Sequence, residues 1–217
     1  MKLVTTARYL TSLIIGLALT QATVQAQTLK DVFSSSESPI FYYGIDFTKA
    51  KLIDDAAANA LDIKDRQFAG INDVVVNEPK KYELAKAFQK SNIDHDLGPI
   101  HKKNQTVNPD NIKSTTSADY NRLKAADISG VIKDLETGDK KGVGLVFVVE
   151  AMSKTQKAAA IWVTLFDIKT KKVLLTERME GTAGGFGFRN YWAASIKDVM
   201  NDIEKKKFKE WKAAYGG

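Results

Sequence analysis

Three consecutive runs of β-branched, aromatic and aliphatic residues constrain the fold of this chain more than any other feature. Each has the length of a β-strand, and short lysine-rich connections separate them; they are 143–150, 159–167 and 173–180. In the first two runs both alternating faces are apolar, which is typical of strands covered on both sides. In the third, Arg178 and Glu180 share one face, which favours a position near a sheet edge. The runs predict an antiparallel meander near 143–181.

A fourth strand is predicted near 39–48, where aromatic and aliphatic residues alternate. A long segment separates it from the meander, and a strand this aromatic is not stable alone, so we expect it to join the same sheet. We therefore predict a single α/β (α+β) domain. It has a mixed, mostly antiparallel sheet with helices packed against it and a long helix at the C-terminus.

Helical spacing of apolar residues predicts the helices. One is expected within 50–92, interrupted at Glu78-Pro79 because proline lacks the backbone N–H and disfavours helical geometry before it. Helix is also expected after 118 and from about 192 to 214. In the last of these, Phe208 and Trp211 continue the helical spacing on a stripe rotated by roughly a quarter turn from the first.

The stretch 91–117 contains two prolines, several asparagines and only scattered apolar residues. Such a long excursion in a compact domain is usually functional or mobile. We expect it to be the least structured part of the chain.

Residues 1–26 have the pattern of a signal peptide. Lys2 and Arg8 precede an apolar stretch from Leu10 to Leu19, and small residues come before Gln27. We expect an exported protein, periplasmic or extracellular, with a flexible lead-in at 27–38 and one domain at 39–217. The chain has no cysteine, which excludes disulfides, thiolate chemistry and a lipid anchor on cysteine.

The charge pattern indicates a solvated surface. The chain has 32 Lys and Arg against 26 Asp and Glu, a net charge of +6, and the lysines are dispersed among acids. This is not the clustered basic pattern of a nucleic-acid-binding protein, so we predict no nucleic-acid partner. We also predict no transmembrane segment in the mature chain and no cofactor.

The glycine-rich stretch 181–190 is the main candidate for a ligand site. Gly185, Gly187, Arg189 and Asn190 lie at a predicted strand-to-helix junction, where backbone N–H groups can hold an anion. The stretch lacks the third glycine of a dinucleotide fingerprint, and no βαβ unit follows it. The alternative is structural: the glycines let the strand bend, and Arg189 ties the helix start to a carboxylate or to free carbonyls.

Two other clusters were considered as sites. Asp94-His95-Asp96 and His101 are metal-ligand types, but a solvated polar loop is the better explanation of them, and no metal is predicted. The lysines within 205–212 are suited to an anionic lipid or glycan, but cations near a helix C-terminus also favour its dipole. No catalytic motif is present, and no catalytic residue is predicted.

Four stretches resemble a family of uncharacterised secreted bacterial proteins; they are 41–47, 71–79, 144–150 and 185–192. The order of strand, helices, meander and final helix is also similar to envelope domains typified by the TolB amino-terminal domain and the penicillin-binding-protein activator lipoproteins. That likeness implies a periplasmic binding or scaffolding role. The chain differs from the lipoproteins in lacking their anchoring cysteine.

The function we expect is that of a non-enzymatic envelope or secreted protein, which binds or scaffolds another protein or a cell-wall component. The alternative is a hydrolase-like or small-ligand-binding enzyme with its site at 181–190. A deep polar pocket with clustered ionisable groups would favour the enzyme, and a shallow aromatic surface would favour the binding protein.

Overall fold

The structure is a computed structural model, and it describes residues 23–217. Within that range one sheet has seven strands, which are β1 (Ile40–Asp46), β2 (Lys51–Ile53), β3 (Asp94–His95), β4 (Lys113–Ser114), β5 (Val143–Ser153), β6 (Ala158–Asp167) and β7 (Val173–Thr182). The same residues form eight α-helices, which are α1 (Thr23–Ser34), α2 (Ala60–Asp62), α3 (Phe68–Asn77), α4 (Leu84–Ala87), α5 (Gly98–Asn104), α6 (Ala125–Lys133), α7 (Phe188–Asp202) and α8 (Phe208–Tyr215).

Strand β5 is the centre of the sheet because it pairs along both of its edges. On one edge it lies parallel to β1 and then to β2, and on the other edge it is antiparallel to β6, which is antiparallel to β7. β3 and β4 extend the parallel side, beside β1 and β2 respectively. β1 and β2 therefore occupy the same strand position, next to β5, and β3 and β4 occupy the next strand position outward.

The prediction of a mostly antiparallel sheet is wrong. Four of the six strand pairings are parallel, namely β1–β3, β1–β5, β2–β4 and β2–β5. The antiparallel pairings are those within 143–182. Long crossing segments, not hairpins, connect β1 and β2 to β5, and crossovers of this kind join parallel strands. The coarser class, α/β, is confirmed.

Side chains replace a neighbouring strand at the end of β1. β3 pairs only with Phe41 and Tyr42, so the outer edge beyond them has no strand partner. Asn72 Oδ1 accepts from the Ile45 N–H (2.7 Å), and Asn72 Nδ2 donates to the Ile45 carbonyl (3.0 Å). Asn104 Nδ2 also donates to that carbonyl (2.9 Å). Two buried asparagines, from α3 and α5, thus satisfy backbone groups that burial would otherwise leave unpaired.

Helices cover both faces of the sheet. The larger core lies under α1, α3, α7 and α8, and its buried side chains include Phe68, Phe147, Val163, Trp192 and Trp211. The smaller core lies on the opposite face and includes Ile100, Ile128, Ile132, Val148 and Phe166. The two-sided burial of β5 and β6 explains why their sequences are apolar on both alternating faces.

Two π-helical turns determine which side of the following helix faces the core. Ile63–Gln67 joins α2 to α3, and Ile203–Lys207 joins α7 to α8. A π turn holds one more residue than an α turn, so it shifts the following residues by about 100° relative to a regular α-helix. Phe208 and Trp211 therefore return to the core that buries Ile203. The rotated stripe in the sequence is the signature of this extra residue.

The helix end predicted at Glu78-Pro79 is confirmed, because α3 ends at Asn77 with Glu78 as its C-cap. Two stretches are more ordered than the sequence suggested. The lead-in 27–38 includes most of α1, in which Phe33 is buried. The excursion 91–117 contains β3, α5 and β4. The predicted signal peptide covers 1–26, of which 1–22 lie outside the described residues.

Candidate functional site

The predicted ligand site lies where β7 leads into α7. Gly185 and Gly187 have positive φ angles (+98° and +76°), which L side chains rarely adopt. Two backbone hydrogen bonds close the loop onto the helix: the Gly184 N–H donates to the Tyr191 carbonyl (3.1 Å), and the Tyr191 N–H donates to the Gly187 carbonyl (2.9 Å). The glycines are therefore needed for the shape of this loop.

Arg189 and Asn190 are exposed side chains in the first turn of α7. Arg189 Nε donates to Asn190 Oδ1 (3.2 Å), and the Arg189 Cδ atom lies 3.2 Å from where a Cβ at Gly70 would be. Within the described part of the chain, Arg189 pairs with no carboxylate, so the tie proposed from the sequence is absent. The four predicted residues are close in sequence, and none of them lines either of the two clefts described below.

The most exposed large apolar side chain of this junction is Phe186, which is 94% exposed. Lys154, from the turn between β5 and β6, reaches the same junction, with its Nζ 4.0 Å from the ring centroid of Tyr191. Lys157, from the same turn, accepts at its backbone carbonyl a hydrogen bond from Ala183 (2.8 Å). We call Lys154, Lys157, Phe186 and Arg189 the tip.

The other clusters from the sequence do not form sites. His101 Nε2 lies 3.3 Å from Asp73 Oδ1, and Asp96 Oδ1 accepts from the Gly98 N–H (2.9 Å). No group of three or more His, Cys, Asp or Glu residues converges on a metal position within residues 23–217. The C-terminal lysines are partly paired, since Lys207 Nζ contacts Glu177 (2.6 Å) and Glu210 (2.9 Å).

A cleft of about 760 Å³ lies beside β3, at the parallel edge of the sheet. Its lining combines apolar residues of α3 and α4 with polar ones, and it includes Tyr42, Val75, Val76, Glu83, Leu84, Lys86, Ile93 and His95. Lys140 also lines the cleft, and Lys81 adjoins Tyr82 of the lining. Lys140 Nζ lies 4.9 Å from the ring centroid of Phe41, and Lys81 Nζ lies 5.1 Å from that of Tyr82. A second cleft, of about 640 Å³, lies between α1 and the C-terminal residues.

Two tyrosines of the lining, Tyr42 and Tyr82, have buried hydroxyl groups without a hydrogen-bond partner among the described residues. Tyr42 is fully buried, and no described residue forms a hydrogen bond with its hydroxyl group. Burial raises the pKa of Tyr42 well above its ordinary value, so the group stays protonated and can donate. Buried hydroxyls normally have a partner, so an unpaired one in the lining of a cleft suggests a place for a ligand acceptor.

The backbone of β3 offers further hydrogen-bonding groups. Asp96 N–H donates to the Tyr42 carbonyl (3.1 Å), and Phe41 pairs with Asp94. Since alternate residues of a parallel strand face its neighbour, the N–H and C=O of His95 point away from β1. β3 has no other strand partner among the described residues, so this edge is open along the cleft.

Sequence reasoning missed a buried carboxylate, Glu150. Its Oε1 accepts from the backbone N–H groups of Arg122 and Leu123 (2.5 Å each), and its Oε2 accepts from Trp162 Nε1 (3.0 Å) and Arg178 Nε (2.9 Å). These bonds fasten the segment before α6 to the sheet, which is a structural role. One feature of the sequence indicates its burial: Glu150 follows directly on a strand that is covered on both faces, so its side chain is expected to be covered as well.

The fold gives no indication of a membrane span: within the described residues, no helix combines sufficient length with sufficient apolar character. No protein-family model matches the chain, and no curated protein sequence matches it significantly. The membership of a secreted bacterial family and the likeness to TolB-type envelope domains therefore remain predictions.

Proposed function

We propose that this protein is an exported, non-catalytic binding module that holds an extended segment of another protein at the outer edge of β3. The observation that carries the proposal is the combination of an open strand edge and a cleft beside it. The cleft, about 760 Å³, lies in the size range of specific ligand sites.

An extended segment suits both parts of the site. Its backbone would pair with the outward N–H and C=O of His95, which supplies affinity without dependence on sequence. Alternate side chains of an added strand point to the same face. One of them would therefore enter the cleft against Val75, Val76 and Leu84, which line it.

The Tyr42 hydroxyl would supply selectivity. An incoming side chain with an oxygen acceptor at its end would receive the hydrogen bond that this hydroxyl does not make in the free protein. A hydrogen bond of this kind contributes about 0.5–1.5 kcal/mol net. We therefore expect the preferred segment to carry one long side chain with an apolar stem and a polar end, flanked by residues that favour strands.

The test uses a library of random peptides displayed on phage and selected on the full chain. The best peptide is then titrated by calorimetry against wild type, Tyr42→Phe and His95→Pro. We expect Tyr42→Phe to weaken binding about tenfold, because it removes only the hydroxyl. We expect His95→Pro to abolish binding, because proline has no N–H to pair with an added strand.

Phe186→Ser is the control, since it changes an exposed side chain outside the cleft and should leave peptide affinity unchanged. Thermal melting of each variant shows whether it is folded. Equal affinity of the selected peptide for wild type and Tyr42→Phe would contradict the role of the hydroxyl. Amide protection by the peptide that maps outside 92–96 would contradict the site itself.

A further inference from the structure

The tip exposes an aromatic side chain to solvent on a loop whose backbone conformation is defined by glycines and hydrogen bonds. Phe186 is 94% exposed, whereas its neighbour Phe188 packs against Trp192, with ring centroids 6.3 Å apart. The glycines on both sides of Phe186 have positive φ angles, and the loop is closed onto α7 by hydrogen bonds. The exposure is therefore built into an ordered loop. A soluble protein gains nothing in stability from an aromatic ring held in water.

The tip carries three cations, Lys154, Lys157 and Arg189, and no described carboxylate forms an ion pair with them, although lysines elsewhere in the chain do form such pairs. Two carboxylates contact the same segments through other groups: Asp54 Oδ2 accepts from the Thr155 hydroxyl (2.9 Å). Asp198 Oδ2 accepts from the backbone N–H of Thr182 (2.8 Å). The tip thus combines one projecting ring with three cations that have no carboxylate partner among the described residues.

We propose that the tip docks the protein on a bilayer surface that contains anionic phospholipid. The ring of Phe186 would enter the boundary between headgroups and acyl chains, and the three cations would face lipid phosphates. A bilayer accepts an isolated projecting side chain without a complementary shape. A specific protein interface needs a larger buried patch, about 800 Å² on each partner, and the tip offers a single apolar residue for it.

This docking would leave the cleft beside β3 accessible. β3 lies beside the beginning of β1, which pairs with the beginning of β5, whereas Lys154 directly follows the end of β5. From Leu145 to Ser153 the strand extends roughly 25 Å. The two sites therefore lie near opposite ends of the central strand. The inference does not depend on the peptide-binding proposal.

The chain has no cysteine, so a single engineered one can report on the tip. Phe186→Cys and Asp139→Cys, each in the full chain, are labelled with an environment-sensitive fluorophore. They are then mixed with vesicles of phosphatidylcholine, with or without an equal amount of phosphatidylglycerol. Asp139 is exposed and precedes the start of β5, so it serves as the matched control. We expect a blue shift for the label at 186 with anionic vesicles only, and its reversal by high salt.

Sedimentation with the same vesicles tests the native side chains. We expect Phe186→Ser to lower the partition coefficient about tenfold, since a buried aromatic ring is worth at least that factor. Lys157→Gln should lower it about fivefold, the contribution of one cation near an anionic surface. All variants keep the same N-terminal sequence, so any lipid affinity of that apolar stretch is equal among them.

Four results would overturn the proposal. The first is unchanged fluorescence of the label at 186 when the protein sediments with vesicles. The second and third are a blue shift of the same size for the label at 139, or for the label at 186 with phosphatidylcholine alone. The fourth is that neither Phe186→Ser nor Lys157→Gln changes the partition coefficient. Competition by millimolar inorganic phosphate, without any label shift on vesicles, would replace the bilayer by a free anion. A selected phage peptide whose affinity falls in Phe186→Ser would replace it by a protein partner.

Discussion

At the scale of single residues, Lys90 shows how a charge is held inside this fold. It is only 7% exposed, and its Nζ donates to the carbonyl oxygens of Val32 and Ser35 at the C-terminal end of α1. Carbonyls at the end of a helix have no partner within it and carry partial negative charge, so a cation is favourable there. Burial nevertheless opposes the charge, and it lowers the pKa of Lys90 from 10.5 to about 8.

This lowered pKa predicts a rise in stability with pH. Between about pH 8 and 10.5 the unfolded chain keeps the Lys90 proton that the folded chain has lost, so the free energy of unfolding increases with pH. Lys90→Met should remove this part of the increase, which urea unfolding at several pH values between 7 and roughly 10 would measure. Above that range the trend reverses, because burial raises the pKa of Tyr43 and of Tyr120 to about 12.

Lys102→Met is the matched control for this experiment, because Lys102 is exposed and pairs with Glu136 at the surface. Its pH dependence should follow that of wild type. The burial of Lys171 lowers its pKa as well, so part of the wild-type slope survives in every variant. A Lys90→Met protein with the same slope as wild type would show that Lys90 titrates normally in the folded state.

At the scale of elements, the π turn Ile203–Lys207 keeps two regular helices in contact with one core. It accommodates one residue more than an α-helix needs between Ile203 and Phe208. Removing one residue there places the phenylalanine four positions after Ile203, which is about one turn of an α-helix. The helix cannot compensate in this way for a residue removed after Phe208, because that deletion changes the angle around the helix axis between Phe208 and Trp211.

We therefore predict opposite outcomes for two single deletions. Deletion of Lys205, within the π turn, should leave the melting temperature within a few degrees of wild type. Deletion of Lys209, within α8, should displace Phe208 or Trp211 from the core and cost about 3–5 kcal/mol. Both residues are exposed lysines, so the change in charge is the same. Equal losses in thermal and urea unfolding would mean that the π turn is required in itself.

At the scale of the whole molecule, the predicted cleavage after Ala26 is compatible with the fold. The described side chains of α1 that are buried against the body include Leu29, Val32 and Phe33, all after that position. Phe33 packs on α8, with ring centroids 5.5 Å from Phe208 and 6.2 Å from Trp211. The processed chain would keep these contacts, since an amphipathic helix is stabilised mainly by packing of its apolar face.

We accordingly predict that protein isolated from its own cells begins at Gln27. Its melting temperature should match that of the unprocessed chain within a few degrees, because no described core contact precedes the cut. N-terminal sequencing and a thermal melt of both forms would measure this. An intact Met1 on protein from a cytosolic fraction would contradict export, and a much lower melting temperature of the shorter form would contradict the role given to α1.

The sequence by itself determined the strands near 39–48 and 143–181, the helix end before Pro79 and the covered faces of β5 and β6. These depend on periodicity and local backbone geometry, which short stretches of sequence record. It also located the glycine-rich junction, although there the interpretation of Arg189 as a tie to a carboxylate failed. The local sequence pattern indicates where a residue lies on a strand or helix, but not which residues its side chain contacts.

Only the tertiary structure decided the parallel half of the sheet, because the direction of β1 relative to β5 depends on the path of a long crossing segment. The stretch 91–117 has few apolar residues, yet it is ordered because β3 and β4 gain backbone partners on β1 and β2. The cleft and the partners of Glu150 also bring together residues far apart in sequence. Contacts of this kind arise from packing, and local periodicity does not encode them.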